Sequence, residues 1–429
     1  MKLQAIRIQN YKSFRDSGWL ELGKLTLLLG YNSNGKSTIL KALDLLRKCC
    51  DCQQMGLETP PFTPEQETDG SFGDILFQGK SKSAKAITFS LRFFNDQKNA
   101  EDDFNYSDTL EVTISARFNK TRTSSYIHYA SVKMDGQMVY EAEMDESGAG
   151  TASVKGIAGT VSPLFKIQNT FFFVSRPEIM NDSQLSGVAM RISGNVNLSL
   201  VEFAGNLEYI MPVRSTPSRS MSLSAITTKS VGIDGSGTYN YLYSLATENR
   251  EEEESRIQHW LGLFGYEYYW KKIRANYGSF MLRDLSNGYT VNIVDTGMGI
   301  SQILPIIVAS CMGTSDILLI DSPEAHLHPM LQSEFATMFV EAAEKRDVVL
   351  ETHSQNILVR VEKLIAEHQI SQDFVSCYFI KDEGDSSVCE RIVLDQNGDA
   401  VNPSEEFQQF FATVYEDVLD ILQAKGKNA

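Results

Sequence analysis

Apolar and polar positions alternate without a break through "TLEVTISARF" (109–118), with Leu110, Val112, Ile114, Ala116 and Phe118 on one side. A period of two is the pleat of a half-buried strand. "AITFSLRFF" (86–94) also reads as a strand, and "SSYIHYASVKM" and "MVYEAEM" flank Asp135 and Gly136, the dipeptide of a tight hairpin turn. Together these runs predict an antiparallel meander over about 87–160. Elsewhere the period lengthens. "KSTILKALDLLRKCC" (36–50) sets Ile39, Leu40, Leu43 and Leu46 at helical spacing, just after the short apolar strand "KLTLLLG" (24–30).

From "GISQILPIIVASCM" (299–312) onward, helices alternate with the strands "DILLI", "DVVLET" and "FVSCYFIK". The stretch between is mixed. Its Gly- and Ser-rich parts ("SRSMSLSAITTKS", "VGIDGSGTYN") imply loops, and "EEEESRIQHWLGLFG" implies a helix with a solvated acidic start at Glu251–Glu254. No heptad run is long enough for a coiled-coil arm. The pattern predicts an α/β head with an antiparallel β subdomain and an inserted mixed helical domain. The expected segments are a first lobe with the meander (1–165), the insertion (166–285), and a closing α/β segment (286–429).

Composition narrows the function classes. With 429 residues, 42% apolar and 22% charged, the chain is ordinary for a globular protein. No run approaches the roughly 20 apolar residues of a membrane span, and "MKLQAIRIQNYKSF" lacks a secretory pattern. A cytoplasmic protein without membrane contact is expected. The net charge of −16 opposes nucleic acid binding by the chain as a whole. Any DNA or RNA contact must therefore use a local basic patch. The candidates are Arg214 and Arg219 in "PVRSTPSR", and Lys271, Lys272 and Arg274 beside Tyr269 and Trp270. Three of six cysteines crowd into "CCDC" (Cys49, Cys50, Cys52), and no second pair stands at zinc spacing, so they read as free thiols at a helix end.

The strongest chemical signal is "GYNSNGKST" (30–38), which fits G-x-x-x-x-G-K-[ST] between a strand and a helix. Gly30 and Gly35 let the backbone curl through Asn32, Ser33 and Asn34, so that amides face phosphate oxygens at the helix start of Lys36, Ser37 and Thr38. Lys36 is expected on the β- and γ-phosphates and the Ser37 hydroxyl on Mg²⁺, which makes ATP and Mg²⁺ the expected cofactors. A guanine-reading Asn-Lys-x-Asp is absent: the "NKTR" at Asn119 lacks the aspartate.

Further segments carry a resemblance. "VDTGMGISQILPIIV" resembles the signature segment of ABC-type ATPases of the SMC, RecF and OLD kind, "LLIDSPEAHLHP" their Walker B strand with its D-loop, and "VVLETHSQNIL" their switch-histidine loop. "IRIQNYKSF" is similar to their opening strand. "YIMPVRSTPSRSM" and "FIKDEGDSSVCERIVLDQNGDAV" resemble a bacterial branch of stand-alone ATPases without a nuclease domain, of the type found in the Septu and PARIS anti-phage systems. The resemblance implies that Gly297, Gly299 and Ser301 cap the γ-phosphate held by an opposite subunit. It further implies that Asp321 holds magnesium, that His353 contacts the γ-phosphate, and that Gln78 is the Q-loop residue. His326 and His328 then belong to the D-loop rather than to a metal pair.

One position departs from that pattern. The usual catalytic glutamate after the Walker B aspartate is Ser322, whose hydroxyl is a poor base at neutral pH. Glu324, past the Pro323 turn, is the carboxylate expected to take the role of general base. The chain is thus expected to be an α/β P-loop NTPase head of the ABC type, with 1–165 as its ATPase lobe, and to hydrolyse ATP; a non-hydrolysing nucleotide-dependent scaffold and a RecF-like DNA-repair ATPase are the competing readings. The resemblance implies a head-to-tail homodimer or larger assembly. No spaced acidic cluster for two metals follows His353, so a separate nuclease or toxin effector is the expected partner. "EEFQQFFATVYEDVLDIL", with Phe407, Phe410, Phe411, Val414, Val418 and Leu422 on one side, either docks such a partner or packs on its own lobe.

Overall fold

The computed structural model describes residues 1–50, 72–77, 86–95, 107–118, 125–157, 159–167, 171–222, 230–248, 250–274 and 277–411. Along the chain run β1 (Lys2–Tyr11), β2 (Phe14–Glu21), β3 (Leu25–Leu29), α1 (Lys36–Cys49), the short turn α2 (Phe72–Ile75), β4 (Ala86–Phe94), β5 (Thr109–Phe118), β6 (Ser125–Met134), β7 (Gln137–Met144) and β8 (Gly150–Val154). Next come β9 (Phe165–Lys166), β10 (Val174–Ser175), α3 (Ser183–Gly205), β11 (Leu207–Ile210), β12 (Met221–Ser222), α4 (Thr238–Glu248), α5 (Glu251–Gly262), β13 (Tyr266–Arg274), β14 (Tyr277–Asp284) and β15 (Thr290–Asn292). The last third holds α6 (Met298–Cys311), β16 (Ile317–Asp321), α7 (Pro329–Ala343), β17 (Asp347–Glu351), α8 (Gln355–Ala366), β18 (Val375–Asp382), β19 (Ser387–Leu394) and β20 (Ala400–Val401).

Two compact units form, each from discontinuous stretches: Met1–Leu22, Ser37–Leu207 and Lys381–Cys389 in the first, and Gly23–Lys36, Glu208–Ile380 and Glu390–Ala429 in the second. Chain order does not show which strand a distant segment joins, and both units draw on both ends of the sequence.

The first unit is built on an antiparallel sheet of order β2-β1-β4-β5-β6-β7-β8, and β4–β8 are the expected meander. Alternation decides its faces. Ile87, Phe89, Leu91 and Phe93 of β4 are buried, while Thr88 and Ser90 pair across the strands with the hydroxyls of Ser115 and Thr113 at 2.7 and 2.8 Å. The hairpin turn has Asp135 and Gly136 both at positive φ (51° and 74°), the geometry the dipeptide was expected to supply. On the polar face a depression of about 630 Å³ is lined by Arg7, Arg92, Lys133 and hydroxyl residues. Its cations are each matched by a carboxylate: Arg7 by Asp16, Arg92 by Glu21 and Lys133 by Glu111. Cys49 and Cys50 are free, buried thiols, and burial raises the Cys50 pKa. Cys52 lies outside the described residues.

The second unit holds a sheet of order β11-β16-β17-β3-β18-β19-β20, in which β16, β17, β3 and β18 run parallel. Every residue of β16, β17 and β3 is buried, as the continuous apolar runs of "ILLID", "DVVLE" and "LTLLL" require in a sheet covered on both faces. From Ser301 to Cys311, α6 is buried on all sides; trimming Ile307 to alanine there would cost about 2–5 kcal/mol. Phe407 and Phe410, on the C-terminal "EEFQQFF" segment, are buried against Phe379. Val414, Val418 and Leu422 lie outside the described residues. Among the described residues no helix is long and apolar enough to cross a membrane.

Candidate nucleotide site

In a parallel sheet ligands collect at the carboxyl ends of the strands. Three adjacent strands deliver chemistry to that edge. β3 runs into Gly30, β16 ends on Asp321 and β17 on Glu351, with Asp321 and Glu351 directly opposite each other in register. The polar residues sit where the apolar runs stop, so their placement follows from the same pattern that buries the strands.

The phosphate loop is shaped by positive φ at Gly30 (143°), Ser33 (67°) and Gly35 (97°). Gly30 is required by space as well as by torsion: a Cβ there would lie 2.3 Å from the Ile380 carbonyl oxygen. Asn34 Nδ2 donates to that same carbonyl at 3.2 Å. Asn32 and Ser33 are exposed, and Lys36 is 2% exposed. Lys36 Nζ donates to the carbonyls of Gly30 (2.9 Å) and Tyr31 (2.7 Å). Burial lowers the Lys36 pKa, against the opposing charges of Glu351, Glu324 and Asp321. One lysine thus faces three carboxylates. Ser37 and Thr38 continue into α1, where Thr38 is buried.

Asp321 is 2% exposed and receives the Ser322 hydroxyl at 2.8 Å. Ser322 has φ 48°, a left-handed conformation that costs a non-glycine residue roughly 1–2 kcal/mol. This turn carries the chain to Glu324. Its Oε2 accepts from the Thr352 hydroxyl (2.8 Å) and its Oε1 from the His353 amide (2.7 Å). Burial raises the Glu324 pKa above the ordinary carboxylate value, though both hydrogen bonds work the other way. The His353 pKa is lowered, first by burial and then by the charge of Lys36, which favours the neutral ring.

The residues expected around the phosphates therefore sit together in part: Lys36, Asp321, Glu324 and His353 form one cluster. Gly297, Gly299 and Ser301 occupy another turn. Gly297 caps α6 without any side-chain hydrogen bond, Gly297 and Met298 are exposed, and the Ser301 hydroxyl donates to the Met298 carbonyl at 2.9 Å. Among the described residues no hydrogen bond joins this turn to the phosphate loop. The turn at His326 lies beside it instead: a Cβ on Gly299 would stand 3.2 Å from the His326 carbonyl. His328 Nδ1 accepts from the Met330 amide as the N-cap of α7. Gln78 lies outside the described residues.

Sequence reasoning missed Glu351 and misread Arg214. The signal for Glu351 was a lone acid ending an apolar strand, one strand from Asp321. Arg214 was a surface candidate for nucleic acid; the structure corrects this, because the residue is 2% exposed and its Nη2 donates to the Asp321 carbonyl at 2.7 Å. A side chain's depth depends on what packs over it, and "PVRSTPSR" has no period to reveal that. Arg219 is exposed but bound to Asp295. Lys271, Lys272 and Arg274 stay exposed on β13.

The parallel sheet with its phosphate loop between β3 and α1 has the fold of a P-loop domain like that of the SMC heads. The family profile described as "AAA domain, putative AbiEii toxin, Type IV TA system" matches residues 25–359, and the chain belongs to that family. Among solved structures it is similar to the SmcHead bound to the C-winged helix domain of ScpA, at 10% identity and TM-score 0.50, covering 92% of this chain and 99% of that one. It also matches an SMC head domain from Thermotoga maritima (11% identity, 91% and 99% covered, TM-score 0.42). A third match is the Smc head domain with an extended coiled coil bound to the C-terminal domain of ScpA derived from Pyrococcus furiosus (9%, 91% and 96%, TM-score 0.47). No curated protein sequence matches the chain.

Proposed function

We propose that this chain is an ATP-driven switch: two copies close head to tail around ATP and Mg²⁺, hydrolyse it slowly, and thereby control a separate toxin or nuclease in anti-phage defence. The observation that carries this reading is the division of phosphate-binding chemistry between two places on one chain. Lys36 and its carboxylates make one half-site. The exposed N-terminus of α6, which has no side-chain cap, makes the other, with a partial positive charge suited to an anion. A second copy would bring the halves together. Val213, Met298 and Met330, exposed at 76%, 62% and 76%, flank the Arg214, signature and D-loop positions and offer apolar surface for that closure.

Magnesium fits the donor set. Mg²⁺ keeps most of its waters and takes one or two carboxylates plus phosphate oxygens. Asp321, a buried carboxylate at the end of β16, would hold it. Glu324 would activate the water. The effector part of the reading draws on the toxin-system description of the family.

Mixing separates this reading from its rivals. Lys36→Ala and Ser301→Arg chains should each be inactive alone, yet regain measurable phosphate release when combined, because a heterodimer contains one intact composite site. No recovery, with each variant folded, would refute the shared site. A second reading, the non-hydrolysing scaffold, is favoured by Ser322 in the glutamate slot and by Glu324 having both oxygens engaged. Single-turnover hydrolysis of bound ATP decides between the two.

A further inference from the structure

Arg214 is 2% exposed, and two of its donors, Nε and Nη1, have no hydrogen-bond partner among the described residues. Unmatched donors on a buried cation are costly, so a fold that keeps them needs a compensating use. The bonds Arg214 does make point to one. Its Nη2 donates to the carbonyls of Asp321 (2.7 Å) and Ser322 (3.4 Å), the two residues of the turn that carries the Walker B carboxylate. Its backbone is held on both sides by Gln302: the Arg214 amide donates to Oε1 at 3.1 Å, and Nε2 donates to the Arg214 carbonyl at 3.0 Å. Gln302 directly follows Ser301 on the signature helix. Five residues on, Arg219 grips Asp295 with both Nη atoms, two residues before Gly297. The irregular segment 211–220 therefore fastens to the signature at two points and to the Walker B turn at a third.

We propose that Arg214 is a positioning residue for ATP hydrolysis, its guanidinium setting the Asp321–Ser322 turn and its backbone holding the signature helix, so that the magnesium carboxylate and the phosphate-capping turn take up their working geometry together. This rests on the ATPase reading above. The free Nε–H and Nη1–H are the donors that a bound anion would satisfy. Coupling of this kind is reciprocal: a nucleotide that shifts Asp321 shifts Gln302, and a partner seated on the signature is felt at Asp321.

The test uses the full chain as Arg214→Lys, which keeps the charge but loses the planar fork, and Arg214→Met, which removes the charge at similar volume. Melting temperature, fluorescent-ATP affinity and phosphate release across a Mg²⁺ titration are measured beside wild type and Lys36→Ala. Both variants should fold and bind nucleotide within about threefold of wild type, while kcat falls roughly 10²-fold and the Mg²⁺ concentration for half-activity rises. Wild-type kcat and Mg²⁺ dependence in both variants would overturn the proposal while leaving the ATPase reading intact. Failure of both variants to fold would assign Arg214 to the core and overturn it too. Wild type that neither binds nor cleaves ATP, or binds it no better than Lys36→Ala, would remove the underlying reading and the proposal together.

Discussion

The backbone amide of His353 donates to the carboxylate of Glu324 at 2.7 Å. With the Thr352 hydroxyl on the other oxygen, this bond ties the turn after β16 to the loop after β17. Glu324 thus has both oxygens engaged by that loop. Replacing it with glutamine keeps an acceptor for one of these bonds but removes the base. Glu324→Gln should lower turnover by roughly 10²–10⁴ without weakening ATP binding, measured by phosphate release and nucleotide affinity. Unchanged turnover would take Glu324 out of the mechanism.

The pH profile carries the same residue's signature. Burial holds the Glu324 pKa above the ordinary glutamate value of 4.5, so the basic form is gained only as pH rises past that raised value. The acid limb of kcat should lie above pH 4.5 and disappear in Glu324→Gln. A limb at or below 4.5 would contradict the assignment.

Lys36→Ala should abolish ATP binding and any ATP-dependent change of assembly. Light scattering coupled to gel filtration reads the second outcome directly. If wild type elutes identically with and without ATP, the terminal phosphate is not the bridge between copies.

Ser322 offers a backbone test. Ser322→Gly and Ser322→Ala both delete the hydroxyl bonded to Asp321 and differ in their tolerance of φ 48°. The glycine variant should be more stable by about 1 kcal/mol, measured by denaturant unfolding. Equal stabilities would mean that the turn relaxes when the serine is lost.

Glu362 supplies a pH-linked stability. Burial and then Asp399 raise its pKa to about 7. A carboxyl with a raised folded-state pKa contributes stability that is complete below about pH 4.5 and is lost as pH rises toward 7. Glu362→Gln should match wild type near pH 4 and exceed it by about 1–3 kcal/mol at pH 8. A constant difference between the two at all pH values would refute the shift.

The phosphate loop was legible because its chemistry is local. Gly30, Ser33 and Gly35 take positive φ within six consecutive residues, and spacing alone announces such a curl. The meander was legible for the same reason: strict alternation leaves one way to bury Leu110, Val112 and Ile114. Arg214 and Glu351 were not legible, because neither belongs to a period or a spaced motif. Arg214 was even assigned to the surface, where arginines usually lie.

What the sequence determined by itself was the set of elements and the curl of the loop at 30–35, since periodicity and turn chemistry act over a few neighbouring residues. Only the tertiary structure decided which carboxylates face Lys36, that Glu324 is bonded to the switch loop, and that an arginine is buried behind the Walker B turn. Those facts depend on strand order. Asp321, Glu351 and Gly30 lie far apart in the chain and become neighbours because β16, β17 and β3 pair side by side, an arrangement set by burying whole sheet faces rather than by any local run of residues.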